Sequence, residues 1–152
     1  MAVRKLPSPN LESVRRQFSY DPKSGILIRT RLNRTVTCRT VLVNGIEYRK
    51  SRICWLIETG EWPDEVDHED TDELNDKWSN LRKCTHQQNL CNRKVAKHNK
   101  LGIKGVSAHQ NGFTTRARFG GKIKRQQFRT LDAAIDAYAK WSLELQGEFR
   151  RI

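Results

Sequence analysis

The sequence predicts an α+β chain in two folded parts, and three local signals carry that expectation. Val41 to Val43, Asn44-Gly45 and Ile46 to Tyr48 form a hairpin signal, because Asn-Gly supplies the positive-φ pair that a tight two-residue turn requires. Residues 49–59 place Ile53, Leu56 and Ile57 on one side of a helix, with Gly60 as its stop. Phe113, Thr115, Ala117 and Phe119 alternate with Thr114, Arg116 and Arg118, which is the period of a strand with two unlike faces.

In chain order, Pro7 and Pro9 precede Asn10, which is placed to cap a short helix over residues 11–18. Tyr20-Asp21-Pro22-Lys23-Ser24-Gly25 reads as a turn, followed by an apolar alternation at Ile26 and Ile28. With the Asn44-Gly45 hairpin, the first third is expected to be a small antiparallel sheet. Arg29, Arg31, Arg34 and Arg39, interleaved with it, are either phosphate contacts or a solvated face. Trp55 and Trp62 are expected in the core, and Trp78, Leu81 and Cys84 as apolar anchors. Thr85 and Gln88 have the spacing of a capping box, opening a helix on which His86 and Asn89 share a face. Residues 92–100 are basic and lack an apolar period, so they read as a linker. Beyond it, Ala133, Ala134, Ala137, Tyr138 and Trp141 supply a helix face for the strand residues Phe113, Thr115, Ala117 and Phe119 to pack on.

With 152 residues, the chain has room for one or two small domains. It carries 29 Lys and Arg against 17 Asp and Glu, a net charge of +12, which calls for a polyanionic partner. The excess is concentrated late: residues 1–89 hold 15 basic and 13 acidic side chains, residues 90–152 hold 14 and 4. Nucleic-acid contact is therefore expected mainly in the C-terminal part. No apolar run approaches the roughly 20 residues that span a bilayer, and the N-terminus lacks a hydrophobic signal region, so a soluble, cytoplasmic protein is expected. Cys38, Cys54, Cys84 and Cys91 have no CxxC spacing and are expected as free thiols in the core; a zinc site from Cys84, His86 and Cys91 is the alternative.

The chemistry-bearing stretch is residues 66–92, VDHEDTDELNDKWSNLRKCTHQQNLCN. Asp67 and His68 are adjacent, Asn80 follows twelve residues after His68, and Asn89 twenty-one residues after it. A carboxylate can hold a divalent cation, an adjacent imidazole can take a proton from water, and a carboxamide can complete the coordination, so the set has the parts of a one-metal phosphodiesterase. Around it, Asp64, Glu65, Asp67, Glu69, Asp70, Asp72, Glu73 and Asp76 make an acidic run, which repels DNA unless a cation is bound. Most of these carboxylates are expected to be solvated.

Asp67-His68, Asn80-Leu81-Arg82 and Thr85-His86-Gln87-Gln88-Asn89 resemble the signature of HNH endonucleases of the phage and intron-encoded homing type. The resemblance implies two strands and a helix around one metal ion, the ββα-metal fold. It implies His68 as general base, Asp67 and Asn89 as metal ligands, and Asn80 as the residue that braces the loop and orients His68. His86 is a further candidate for ligand or phosphate contact. Ser51-Arg52 stands where that family commonly has His-Arg, and Asn75-Asp76 where it often has Asp-Asn. One divalent ion, Mg²⁺, is the cofactor expected from one carboxylate and one amide.

Gly102-Ile103-Lys104-Gly105-Val106, Thr115-Arg116-Ala117-Arg118-Phe119, Gly121-Lys122, Phe128-Arg129-Thr130-Leu131-Asp132-Ala133-Ala134 and Gly147-Glu148-Phe149 resemble the ethylene-response-factor, or Apetala-type, DNA-binding domain. That resemblance implies a three-stranded antiparallel sheet packed on one helix. Thr114, Arg116, Arg118, Lys122, Lys124 and Arg125 are the DNA-contact candidates there, and Arg93, Lys94, Lys97 and Lys100 the candidates in the linker, tracking phosphates.

These expectations combine into an HNH nuclease domain at residues 1–91, a basic linker at 92–100 and an Apetala-type domain at 101–152. The expected partner is double-stranded DNA, met by a monomer or weak homodimer in the cytoplasm of a host bacterial cell, without a membrane or a protein partner. A DNA-binding regulator with a decayed nuclease part, or a basic RNA-binding protein, are the alternatives.

Overall fold

The computed structural model describes residues 7–96 and 99–150; Lys97 and His98 lie outside the described residues. The chain divides into two compact units, residues 1–84 and 85–152.

The first unit opens with helix α1 (Leu11–Gln17). Asn10 caps it, its Oδ1 accepting the Ser13 N–H at 2.9 Å. Strands β1 (Phe18–Asp21), β2 (Ile26–Arg29) and β3 (Arg34–Thr35) form a three-stranded antiparallel sheet with β2 in the middle. Leu27 is the β2 residue that enters the core, while Ile26 is 41 % exposed, so the inward parity is opposite to the one expected from Ile26 and Ile28. Ile-Leu-Ile offers an apolar residue on either face, and only the Phe18↔Arg29 register decides which one is buried.

Strands β4 (Thr40–Val43) and β5 (Ile46–Arg49) pair across Asn44 (φ 50°) and Gly45 (φ 79°), the expected hairpin. Val41, Val43 and Tyr48 point inward. Helix α2 (Lys50–Thr59) follows at once and ends at Gly60 in the left-handed conformation, whose N–H bonds the Leu56 carbonyl. Its Ile53, Cys54 and Leu56 join Val14, Phe18 and Leu27 in one core. Trp55 and Trp62 are half-buried at its rim: Trp55 lies against Trp78, and Trp62 meets Tyr48 edge-on. Strands β6 (Glu65–His68) and β7 (Leu81–Cys84) close the unit as a two-stranded antiparallel ladder.

The second unit begins with helix α3 (His86–Asn92). Both halves of the predicted capping box are present: Thr85 Oγ1 accepts the Gln88 N–H at 3.3 Å, and Gln88 Oε1 accepts the Thr85 N–H at 2.8 Å. At its other end Lys104 Nζ donates to the Cys91 carbonyl, and to that of Arg93 at 2.9 Å, placing a cation where the helix dipole is negative. Strands β8 (Val106–His109), β9 (Gly112–Phe119) and β10 (Lys122–Phe128) form an antiparallel sheet with β9 central, and helix α4 (Leu131–Gln146) packs on one face of it. Val106, Ala117, Ala134 and Tyr138 are its core. Thr115 is fully buried among them, with its hydroxyl donating to the Ala134 carbonyl at 2.8 Å. Trp141 is half-buried and packs against Phe128, whereas Ala133, expected on the inner face, is exposed.

Gly105 (φ 70°) runs directly over the Tyr138 ring: a Cβ there would lie 2.0 Å from a ring carbon. The thiols divide three to one, with Cys54, Cys84 and Cys91 buried and Cys38, against expectation, exposed. Among the described residues, no helix is long and apolar enough to cross a membrane.

Candidate active site

Asp67 and His68 end strand β6, and strand alternation sends their side chains to opposite faces of the β6–β7 ladder. Asp67 is directly opposite Arg82, whose Nε and Nη2 both donate to Asp67 Oδ2, at 2.8 and 2.7 Å. Asp67 is 4 % exposed, so this is a desolvated, charge-assisted contact.

On the other face, His68 Nε2 lies 2.9 Å from Asp76 Oδ1. The second oxygen of Asp76 meets Lys50 Nζ at 2.8 Å, and the Asp76 side chain is 0 % exposed, that of Lys50 6 %. Lys50 opens α2, where the helix dipole disfavours a cation, and a buried lysine needs a counter-charge; Asp76 supplies it. Asp76 is held through its backbone as well, because the Tyr20 hydroxyl donates to its carbonyl at 2.6 Å. Burial pushes the Tyr20 hydroxyl well above its ordinary pKa, with charges including that of Asp76 adding to the effect. The turn between β1 and β2 rests on the same backbone: Trp78 N–H donates to the Pro22 carbonyl at 2.9 Å, and a Cβ on Gly25 would meet Lys77 N at 2.4 Å.

The loop between β6 and β7 is stapled by Asn80. Its Oδ1 accepts the Asp70 N–H at 3.0 Å, and its Nδ2 donates to Asp70 Oδ1 at 3.0 Å and to the Asn75 carbonyl at 2.7 Å. Its own carbonyl accepts the Glu69 N–H at 3.0 Å. Asp70 takes a further bond from Asn75 Nδ2 at 2.7 Å and one from the Asp72 N–H at 2.8 Å. Partial burial opposes ionisation of Asp70, yet these donors together hold its carboxyl below the ordinary aspartate value.

The structure thus brings His68, Asn80 and the acidic loop into one hydrogen-bonded assembly within the first unit. His86 and Asn89 stand on α3 in the second unit, three residues apart, with His86 exposed and Asn89 half-buried. Asp76 is a site residue that the sequence does not mark: a carboxylate in an acidic run reads as solvated, and only the Asn75-Asp76 order departs from the familiar pattern. Arg52 is also structural here. Its guanidinium lies 4.1 Å from the Trp62 ring centroid and donates to the Pro63 carbonyl at 2.8 Å; its pKa is lowered by burial.

Of the DNA-contact candidates, Arg93, Lys94 and Lys100 are exposed, and Lys97 lies outside the described residues. The β9–β10 register divides the others. Arg116 is opposite Arg125 and Arg118 opposite Ile123, on the sheet face turned away from α4, and all three arginines are exposed. Thr114 shares that face but is only 9 % exposed. Lys122 and Lys124 instead pair with Phe119 and Ala117, on the helix side, where Lys124 Nζ reaches Glu144 at 2.5 Å.

Asp67 offers a carboxylate, the kind of oxygen donor that suits a hard divalent cation retaining several waters. Arg82 occupies Oδ2 of that carboxylate. Among the described residues no group of three or more His, Cys, Asp or Glu is arranged to hold a metal ion.

Residues 48–91 match the model of a family described as HNH endonuclease. Protein 3.8 of Escherichia phage T7 is 32 % identical over 88 residues, a span that covers 57 % of this chain and 73 % of the phage protein. No solved structure matches the chain. On this identity and coverage the chain belongs to the same family as Protein 3.8 of phage T7, and it carries an HNH endonuclease domain over residues 48–91.

Proposed function

We propose that the protein is a DNA endonuclease of the HNH type, acting with one divalent cation, Mg²⁺, and that its biological role is homing-type cutting of host or phage DNA. The observation that carries the reading is His68: it lies within the HNH-matching segment, next to Asp67, with its imidazole held by a buried carboxylate. A fixed imidazole beside a metal-ligand candidate is the arrangement a water-activating base requires.

In the reaction, His68 takes a proton from water as the water oxygen forms a bond to phosphorus and the bond from phosphorus to the 3′ oxygen breaks. The leaving oxygen is protonated by solvent, which gives a 5′ phosphate and a 3′ hydroxyl. Asp67 and Asn89 are the residues that would hold the cation, which when bound neutralises charge on the phosphate and the leaving oxygen. Asn80 keeps the loop from shifting His68. Arg116, Arg118 and Arg125, on the open face of the second unit's sheet, grip the duplex, as the resemblance to Apetala-type domains suggests.

The test is cleavage of supercoiled plasmid with Mg²⁺, with EDTA as control. Cleavage that EDTA and His68→Ala both abolish is expected; DNA binding without cleavage would overturn the enzymatic reading. One observation favours that second reading, a DNA-binding protein that does not cut: the Arg82 guanidinium on Asp67 Oδ2 competes with a cation for the same carboxylate.

A further inference from the structure

Asp76 is the point on which four separate segments converge: Tyr20 from β1, the turn around Gly25, Lys50 from α2 and His68 from β6. One carboxylate oxygen lies at hydrogen-bond distance from His68; the other is ion-paired with Lys50 Nζ at 2.8 Å but lacks hydrogen-bond geometry. A buried lysine-aspartate pair is a poor device for stability, because well-packed apolar residues of the same volume commonly serve as well or better. What an apolar pair could not do is hold the histidine. A carboxylate facing one imidazole nitrogen accepts a hydrogen bond from its N–H, which fixes both the tautomer and the ring rotation and leaves the other nitrogen as the basic one.

We propose that Asp76, itself ion-paired with Lys50, is the positioning residue for His68: its carboxylate accepts a hydrogen bond from Nε2–H and thereby makes Nδ1 the atom that takes the proton from water. This rests on the reading of His68 as general base. Lys50 belongs to the device because it matches the charge that burial of Asp76 requires and pins the oxygen that does not face the histidine. An asparagine at 76 could still accept from His68 but would leave Lys50 unmatched, so the lysine and the aspartate form a unit.

Two double variants of the full chain separate this from a merely structural role. Lys50→Met with Asp76→Asn removes both charges and keeps an acceptor for Nε2; Lys50→Met with Asp76→Leu removes the acceptor too. Long-range ¹H–¹⁵N correlation spectra, with the His68 signals identified by their disappearance in His68→Gln, read the tautomer. Plasmid cleavage at saturating Mg²⁺ gives kcat and KM. The Nε2–H tautomer is expected in the wild type and in the asparagine variant, which also keeps kcat within a small factor. The leucine variant is expected to lose the single tautomer and about 10- to 100-fold in kcat at unchanged KM, the usual scale for removing a supporting hydrogen bond.

A wild-type Nδ1–H tautomer, or full kcat in the leucine variant, overturns the proposal while leaving His68 as base. If His68→Ala cleaves as well as wild type, the base reading itself falls and the proposal with it. Should the leucine variant not fold, the wild-type tautomer and the kcat of the asparagine variant decide: Nε2–H with retained kcat supports the proposal, and Nδ1–H or a collapse of kcat in that folded variant overturns it.

Discussion

Asn80 and Asp70 bind each other twice: the Asp70 N–H donates to Asn80 Oδ1 at 3.0 Å, and Asn80 Nδ2 returns a bond to Asp70 Oδ1 at 3.0 Å. Replacing Asn80 by Asp removes both Nδ2 donors and sets two carboxylates against each other. The substitution is expected to cost about 1–3 kcal/mol, the scale for leaving partly buried polar groups unsatisfied. The urea midpoint measures the loss, and faster amide exchange in residues 69–80 places it in the loop. Unchanged exchange there would show that Asn80 does not hold the loop.

Asp70 also predicts how acid acts on the unit. Its folded-state pKa lies below the ordinary 3.8, so its contribution to stability is fully present above that value and is lost as pH falls through the folded value. Asp70→Asn should therefore be less stable than wild type at neutral pH. The gap between the two urea midpoints should close as pH drops below about 3.8. Because the group is largely exposed, the gap is expected to be small and to shrink further in salt. A gap that stays constant down the pH range would assign the effect to shape and not to charge.

Gly25 and Gly45 make a matched pair, since both have positive φ but only one is crowded. A methyl at Gly25 would lie 2.4 Å from Lys77 N and 2.6 Å from the Asp76 carbonyl carbon, both backbone atoms that no rotamer change can move; at Gly45 it would meet nothing within 4 Å. Gly45→Ala is expected to cost about 1–2 kcal/mol, the penalty of a left-handed non-glycine residue. Gly25→Ala adds the clash, so it should cost clearly more, and by displacing Asp76 it should lower cleavage as well. Equal thermal shifts for the two variants would contradict the docking of this turn on the loop.

What the sequence made legible was local. The Asn44-Gly45 turn, the cap at Asn10, the stop at Gly60 and the box from Thr85 to Gln88 each depend on residues within a few positions of one another, and all are found. The parity of Ile26, Leu27 and Ile28 was not legible, because three successive apolar residues fit either face and tertiary packing chose Leu27. Asp76 was hidden for a related reason. Its partners Lys50 and His68 lie in other elements, and a carboxylate inside an acidic run carries no mark of burial. The face of Lys124, by contrast, follows from the two-residue turn Gly120-Gly121: pairing Phe119 with Lys122 forces Ala117 to pair with Lys124.

If the second unit's sheet grips DNA as proposed, that register predicts which basic residues the duplex will sense. Arg116 and Arg125 are cross-strand neighbours on the open face, while Lys124 is tied to Glu144, whose carboxyl is held below its ordinary value by that hydrogen bond. Removing one side chain that neutralises a phosphate should reduce the slope of log K against log salt concentration by about 0.9. Arg116→Ala and Arg125→Ala are therefore expected to flatten the slope by about one unit each and to weaken binding across all duplex sequences if they grip phosphate, or at particular base pairs if they read guanine. Lys124→Ala should leave the slope unchanged. Fluorescence anisotropy of a labelled duplex at several salt concentrations distinguishes these outcomes. A slope change for Lys124→Ala equal to that for Arg116→Ala would move the DNA-binding face to the helix side of the sheet.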